Sequence, residues 1–203
     1  MKKRIICLTL VLCIVLALLP ISVNAEDKLP WEESPEEWKV LTASTTNIQA
    51  SGKYYLNEDV TLSDAITINT ADVTLDLNGH VLRYETTEAK RTIFIYSLGK
   101  LTLNDSRPTA THTDTTMPAG GIITNGKTSA NYSAQQLGGC IQVFGQFVMN
   151  GGTIYQCCTR NQGGGVHVDE GAYFTMNGGA IRDCIVLPGD GGGVYSRGTF
   201  ISL

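Results

Sequence analysis

The stretch Met149–Ile154 (Met-Asn-Gly-Gly-Thr-Ile) returns as Met176–Ile181 (Met-Asn-Gly-Gly-Ala-Ile), 27 residues further along the chain. Gly163–Val168 (Gly-Gly-Gly-Val-His-Val) returns in altered form as Gly191–Ser196 (Gly-Gly-Gly-Val-Tyr-Ser), 28 residues further on. A fixed period of about 20–50 residues indicates stacked supersecondary units that share one continuous core. The repeat therefore specifies a scaffold and leaves open what the scaffold contacts.

Weaker copies of the repeat extend towards the N-terminus. An apolar-polar-apolar triplet followed by asparagine occurs four times and ends at Asn78, Asn104, Asn150 and Asn177. The wide gap between Asn104 and Asn150 predicts an inserted loop at about residues 106–119, which are rich in Thr, Pro, Asp and Ser. The four asparagines are predicted to form a structural stack whose amides bond from coil to coil, or a corner in left-handed backbone. That Asn-Gly simply marks a turn stays open as an alternative.

A second family of short alternating segments precedes these triplets. The polar or aromatic residues at the centres of these segments are Thr67, Phe94, Gln142, His167 and Tyr195. β-branched neighbours and flanking Gly or Asn favour short strands, and no segment in the repeat region has a helical period long enough for a crossover helix. The sequence therefore predicts an all-β fold, a parallel β-helix solenoid with coils of about 25–28 residues.

The N-terminal residues 1–25 have the features of a secretory signal peptide. Lys2, Lys3 and Arg4 precede an apolar run, and Ala25 ends a small-residue cleavage site. The alternative, an uncleaved membrane anchor, needs a longer apolar run. We therefore expect a secreted, extracellular protein with no stable membrane insertion after cleavage. The full chain has a net charge of −4 and loses three cations with the signal, and such an acidic chain is a poor nucleic-acid binder.

Residues 26–44 are predicted to form a linker and an N-terminal cap. Ser34 suits an N-cap and Pro35 the first helical position, so a short capping helix is expected from Pro35 to about Leu41. Such a helix would cover the open end of the first coil, and a mobile linker is the alternative. The solenoid is predicted to occupy residues 45–203. It stops just before the next expected asparagine, which predicts further coils and surface attachment through missing C-terminal regions.

The cysteines of the repeat are predicted to lie in adjacent coils. Cys157 and Cys184 each follow the repeat asparagine by seven residues, so they would stack. Their spacing allows either a disulfide between them or a ladder of buried thiols together with Cys140 and Cys158. Zinc requires four convergent ligands, and His167 does not complete such a set. We therefore expect neither a metal nor a cofactor.

At this point the chain resembles a known group of proteins. Gly163–Val168 and Phe174–Ile181 resemble the right-handed parallel β-helix repeats of secreted bacterial surface proteins, and residues 52–80 resemble their opening coils. The resemblance covers about residues 45–203 and implies a right-handed solenoid of pectin-lyase-like architecture. Proteins of that architecture include polysaccharide lyases, glycosidases and adhesins, so the resemblance does not decide the function.

The candidate site is the column of central residues. Lyase and hydrolase chemistry needs clustered carboxylates, and the column contains none; the nearest acids, Asp169 and Glu170, lie in a turn close to Arg197. The favoured hypothesis is a non-catalytic, adhesin-like protein that presents a repetitive face to polysaccharides or host and cell-surface glycans. The ligand-binding candidates on that face are Phe94, Gln142, His167 and Tyr195. The alternative is a carbohydrate-active enzyme whose active coils are partly missing from this chain.

Overall fold

The fold is all-β with parallel strands, and its sheets run the length of the repeat region. A computed structural model describes residues 28–84, 91–124, 139–160, 162–187 and 189–203. The signal peptide expected at residues 1–25 lies outside the described residues. In the described part, no helix has the length and apolar character that a membrane span requires.

Strands are numbered in chain order and fall into three main sheets. The seven-stranded sheet contains β1 (Trp38–Val40), β3 (Gly52–Tyr55), β6 (Asp72–Asp76), β9 (Lys100–Asn104), β12 (Gln146–Met149), β16 (Tyr173–Met176) and β20 (Thr199–Ser202). The six-stranded sheet contains β2 (Asn47–Ile48), β5 (Ile66–Ile68), β8 (Ile93–Ile95), β11 (Ile141–Val143), β15 (Val166–Val168) and β19 (Val194–Ser196). The five-stranded sheet contains β4 (Val60–Thr61), β7 (Val81–Arg83), β10 (Ile122–Thr124), β13 (Thr153–Tyr155) and β17 (Ala180–Arg182). A fourth, two-stranded sheet contains β14 (Cys158–Thr159) and β18 (Ile185–Val186).

The chain visits the three main sheets in turn, so each sheet grows by one parallel strand per coil. Strands β11, β12 and β13 make one such circuit, and β15, β16 and β17 make the next on top of it. Each pair is in parallel register, and this arrangement is compatible with the predicted parallel β-helix solenoid.

Side-chain alternation explains why these segments form strands around a single core. In β9, Leu101 and Leu103 are buried while the residues between and beside them are half-buried. Leu101 pairs with Phe147 and Phe147 with Phe174, whose rings stack with centroids 4.7 Å apart. Each fully buried apolar side chain contributes about 1.5–3 kcal/mol before the conformational entropy of ordering it is subtracted. The core is therefore a set of columns that run through the coils.

Three of the four predicted asparagines are hydrogen-bonded in a stack. Asn150 Nδ2 donates to Asn104 Oδ1 at 2.9 Å, and Asn177 Nδ2 donates to Asn150 Oδ1 at 2.8 Å. Asn78 lies outside the stack because the register places Asp76 opposite Asn104. The Asn78 backbone is left-handed (φ 50°), and its Nδ2 donates to the carbonyl oxygen of Leu56 in the preceding coil.

The N-terminal segment differs from the predicted helix at Pro35–Leu41. The helix α1 covers only Pro30–Glu33, and Trp38–Val40 forms strand β1, paired in parallel with β3. Pairing satisfies backbone groups along the edge of β3, which a helix at this place would leave unpaired. Trp31 of α1 stacks on Tyr55, with ring centroids 4.5 Å apart and planes 7° apart. A strand with aromatic packing therefore covers this sheet edge.

The structure pairs Cys157 with Cys140, so it shows neither the possible disulfide between Cys157 and Cys184 nor a ladder of four free thiols. Cys157 and Cys184 do lie in register in adjacent coils, since Cys158 pairs with Ile185. However, Cys140 faces Cys157 across its own coil, and the disulfide between them has a Cα–Cα distance of 5.6 Å. The position equivalent to Cys140 in the next coil is Gly165, which offers no thiol to Cys184. Cys184 therefore remains a thiol.

Two glycines with left-handed backbone separate conformational strain from steric overlap. Gly163 (φ 69°) and Gly171 (φ 77°) would both strain an alanine, at about 1–2 kcal/mol each. A Cβ on Gly163 would also overlap the carbonyl of Val166, whereas a Cβ on Gly171 would meet nothing within 4 Å. We expect Gly163→Ala to lower the free energy of unfolding by about 1–3 kcal/mol more than Gly171→Ala in urea titrations. Equal losses of stability would show that the backbone near Gly163 moves enough to relieve the overlap with the Val166 carbonyl.

Candidate functional site

The five central residues of the six-stranded sheet form one continuous column. Strand register pairs Thr67 with Phe94, Phe94 with Gln142, Gln142 with His167 and His167 with Tyr195. Their apolar neighbours on each strand, such as Ile66 and Ile68 in β5, point into the core, so the column lies on the outer side of the sheet. The structure thus brings all four predicted ligand-binding residues together.

The middle of this column is closed, contrary to the expectation of an exposed face. Phe94 and Tyr195 are half-buried, but Gln142 and His167 are only 2% and 1% exposed. In the described part of the chain, Gln142 Oε1 and both ring nitrogens of His167 have no hydrogen-bond partner. An unsatisfied buried polar group costs about 1–3 kcal/mol. In this conformation a ligand can reach the column at Phe94 and Tyr195, and the two polar residues between them are covered.

One end of the column carries a cation and several aromatic rings. The guanidinium of Arg91 lies 4.6 Å from the ring centroid of Phe94. The rings of Tyr96 and Phe144 lie 4.2 and 5.2 Å from the same ring. Burial lowers the pKa of Arg91 to about 10, so the group stays charged at neutral pH. This end therefore combines a flat apolar surface with a fixed positive charge.

The residues that an enzyme would need lie together but are engaged with one another. Arg197 Nη2 lies 3.2 Å from Glu170 Oε2, and its Nη1 lies 3.9 Å from Asp169 Oδ1. Asp169 Oδ1 also accepts a hydrogen bond from the backbone N–H of Glu170, which is typical of a turn. Because a general base must reach the substrate proton, the covered ring of His167 does not serve as one in this arrangement.

The buried imidazole of His167 makes stability depend on pH. Burial lowers the pKa of His167 below its ordinary value of 6.5, although the Asp169 carboxylate opposes the shift. The unfolded chain then binds a proton more readily than the folded chain, so the stabilisation present above about pH 6.5 is lost as the pH falls towards the folded-state pKa. We expect the urea midpoint to drop between pH 7.5 and pH 5.5. His167→Gln should drop less, and an equal drop in both proteins would contradict this assignment.

A polar groove that the sequence did not reveal lies on the outer face of the seven-stranded sheet. It has a volume of about 320 Å³. The residues that line it are Pro30, Trp38, Lys53, Thr74, Asp76, Asn104, Asp105, Ser106 and Asn150. The sequence did not predict this groove for two reasons. The sequence pattern placed Trp38 in a helix, and it aligned Asn78, instead of Asp76, with Asn104. The row of outward-pointing residues Lys53, Thr74 and Thr102 was the available signal, because these residues pair across three strands.

A smaller cavity of about 220 Å³ lies beside the inserted loop. His80 Nδ1 lies 3.4 Å from Asp59 Oδ1, which also accepts the backbone N–H of Val81. His112 Nε2 lies 2.7 Å from the carbonyl oxygen of Gly120. The contacts of Asp59 join two neighbouring coils, and the contact of His112 ties the loop to the glycine that follows it. Among the described residues, no group of three or more His, Cys, Asp or Glu side chains is placed to hold a metal ion.

Comparison of the chain with protein-family models, with curated proteins and with solved structures finds no match.

Proposed function

We propose that the protein is a secreted or cell-surface, non-catalytic solenoid that presents a repetitive face to polysaccharides or cell-surface glycans. In this proposal the solenoid is a right-handed parallel β-helix of pectin-lyase-like architecture, and its role is adhesin-like. The observation that carries the proposal is the in-register stacking of side chains on the sheet exteriors, as in the outward row of Lys53, Thr74 and Thr102 on the seven-stranded sheet. Parallel strands hold such side chains about 4.8 Å apart.

A stiff, periodic surface suits a ligand that is itself a polymer of repeated units. The side chains are fixed before binding, so little conformational entropy is lost when a ligand is captured. Aromatic residues at Phe94 and Tyr195 offer flat surfaces, and amides and hydroxyls elsewhere on the coils offer hydrogen bonds.

Secretion is supported by two independent features. The N-terminal residues have the signal-peptide pattern, and Cys140 and Cys157 form a disulfide. Structural disulfides persist in oxidising compartments such as the cell exterior. Attachment to a cell surface is part of the proposal through the resemblance to surface proteins.

The proposal is tested with the chain from Glu26 onwards on an array of glycans and polysaccharides. Reducing-end and unsaturated-product assays are run on the same samples. We expect binding without turnover. Product formation would instead support the carbohydrate-active enzyme and direct attention to Asp169, Glu170 and Arg197. Absence of both binding and turnover would refute the proposed function.

A further inference from the structure

We propose that the groove on the outer face of the seven-stranded sheet is a binding subsite for an uncharged saccharide. This inference rests on the proposed function and names a location for it that differs from the His167 column. The groove extends across five adjacent strands, from Trp38 on β1 to Asn150, which directly follows β12. Four strand spacings of about 4.8 Å give a length of roughly 19 Å. Its volume of about 320 Å³ lies at the lower end of the range for ligand sites.

The charged groups in the groove are already engaged, Lys53 in an ion pair and two aspartates in hydrogen bonds, which argues against an anionic ligand. Lys53 Nζ lies 2.6 Å from Glu37 Oε2, and this hydrogen bond lowers the pKa of Glu37. Asp76 is almost fully buried, and its carboxylate accepts hydrogen bonds from the backbone N–H groups of Asn78 and Ser106 and from the Ser106 hydroxyl.

Asp105 is engaged in the same way. Its carboxylate accepts backbone N–H groups from Gly79 at 2.8 Å and from Gly121 at 2.7 Å. These bonds join the two ends of the inserted loop to each other and to the preceding coil, and they fix Asp105 at one side of the groove. Among these three side chains, an anionic ligand would therefore find no uncommitted cation and would face two carboxylates.

Asn150 of the asparagine stack lines the groove, and its amide keeps one hydrogen-bond donor and one acceptor that the stack does not use. A side-chain amide has two N–H donors and two acceptor lone pairs. Asn150 uses one donor towards Asn104 and one lone pair for Asn177, so one of each remains. Adjacent hydroxyl groups of a sugar ring both donate and accept, and they match this pattern. The hydroxyl of the half-buried Thr74 adds a further contact on the same face.

The indole of Trp38 forms one wall of the groove and is held in place. Trp31 packs edge-on against it at 5.8 Å, and Lys53 Nζ lies 5.8 Å from its ring centroid. A fixed aromatic ring offers a large contact area at low entropic cost. A lipid chain would need an apolar lining, and an added peptide strand would need an unpaired sheet edge. Seven of the nine lining residues are polar or charged, and beyond β1 the groove crosses the face of strands that are paired on both sides.

The test uses the chain from Glu26 onwards and three hexasaccharide probes: β-1,4-linked glucose, β-1,4-linked mannose and, as an anionic probe, α-1,4-linked galacturonate. Affinity is measured by calorimetry, and tryptophan emission is recorded in parallel. The chain has two tryptophans, of which Trp31 is buried and Trp38 lines the groove. We expect a neutral probe to bind and to change the emission. Trp38→Ala should weaken this binding by about tenfold or more.

Thr74→Val provides a second variant that keeps the strand shape and removes one hydroxyl; we expect it to weaken binding by about threefold or more. Tyr173→Ala, which removes an exposed aromatic residue outside the groove, should bind as the parent does. Unchanged affinity in Trp38→Ala and Thr74→Val, with loss in Phe94→Ala and Tyr195→Ala, would overturn the subsite and leave the proposed function standing. Binding of the galacturonate probe alone would also overturn the subsite. A broad glycan array without any binding would refute the proposed function itself.

Discussion

Replacing Phe147 by alanine is expected to lower the free energy of unfolding by about 3–5 kcal/mol. Phe147 is 1% exposed and lies in register between Leu101 and Phe174. Its ring stacks on that of Phe174, which in turn stacks on Phe200 at 4.9 Å. Removing the ring leaves a cavity at the centre of a column, and the hydrogen-bonded strands above and below limit how far the coils can collapse into it.

Urea titration of the parent and the variant measures this loss. Tyr173→Ala is the matched control, because it removes an aromatic side chain that is 55% exposed on the adjacent strand. Its effect should stay within about 0.5 kcal/mol. A loss below about 1 kcal/mol for Phe147→Ala would show that the stacked side chains of this column contribute little to the free energy of unfolding.

Opening the disulfide between Cys140 and Cys157 is expected to lower the free energy of unfolding by about 3 kcal/mol. The bond closes a loop with a sequence separation of 17, which restricts the unfolded chain. The variant that carries both Cys140→Ala and Cys157→Ala, compared with the parent under non-reducing conditions, measures the effect in urea. No loss of stability would mean that the bond does not form in the folded protein.

Peptide mapping without reductant tests the pairing itself. A peptide that links Cys140 to Cys157 is expected, with Cys158 and Cys184 as thiols. Burial raises the pKa of Cys184 to about 11, so this residue should react slowly with an alkylating reagent until the chain is unfolded. A peptide that links Cys157 to Cys184 would contradict the structure.

The repeat allowed the strands to be predicted because each coil copies the one before it. The column from Thr67 to Tyr195 follows directly from aligning five similar segments. The misplacement of Asn78 has a physical reason. Side chains alternate with a period of two, so a shift of two residues keeps every apolar residue facing inward. The apolar pattern alone therefore could not distinguish Asn78 from Asp76 as the partner of Asn104.

Other errors arose where distant parts of the chain meet. Ser34 and Pro35 are local signals for the start of a helix. Trp38–Val40 instead pair with β3 and satisfy backbone hydrogen-bonding groups that a helix here would leave unpaired. Cys140 stands where the later copies of the repeat have glycine (Gly165 and Gly193), so the repeat spacing did not mark it as a partner for Cys157. The groove requires Trp38 on strand β1 and Asp76 beside the asparagine stack. The sequence pattern predicted neither placement.

The pair Met-Asn occurs at residues 149–150 and again at residues 176–177. One coil could therefore be removed between these two points without changing the sequence at the new junction. Excising residues 150–176 would connect Met149 directly to Asn177 and bring β17 onto β10, β19 onto β11 and β20 onto β12. Cys184 would then occupy the place of Cys157, opposite Cys140, and Asn177 would bond to Asn104. The shortened chain should therefore regain both its cross-link and its amide stack. In an evolving gene, recombination between such points would lengthen or shorten the protein one coil at a time.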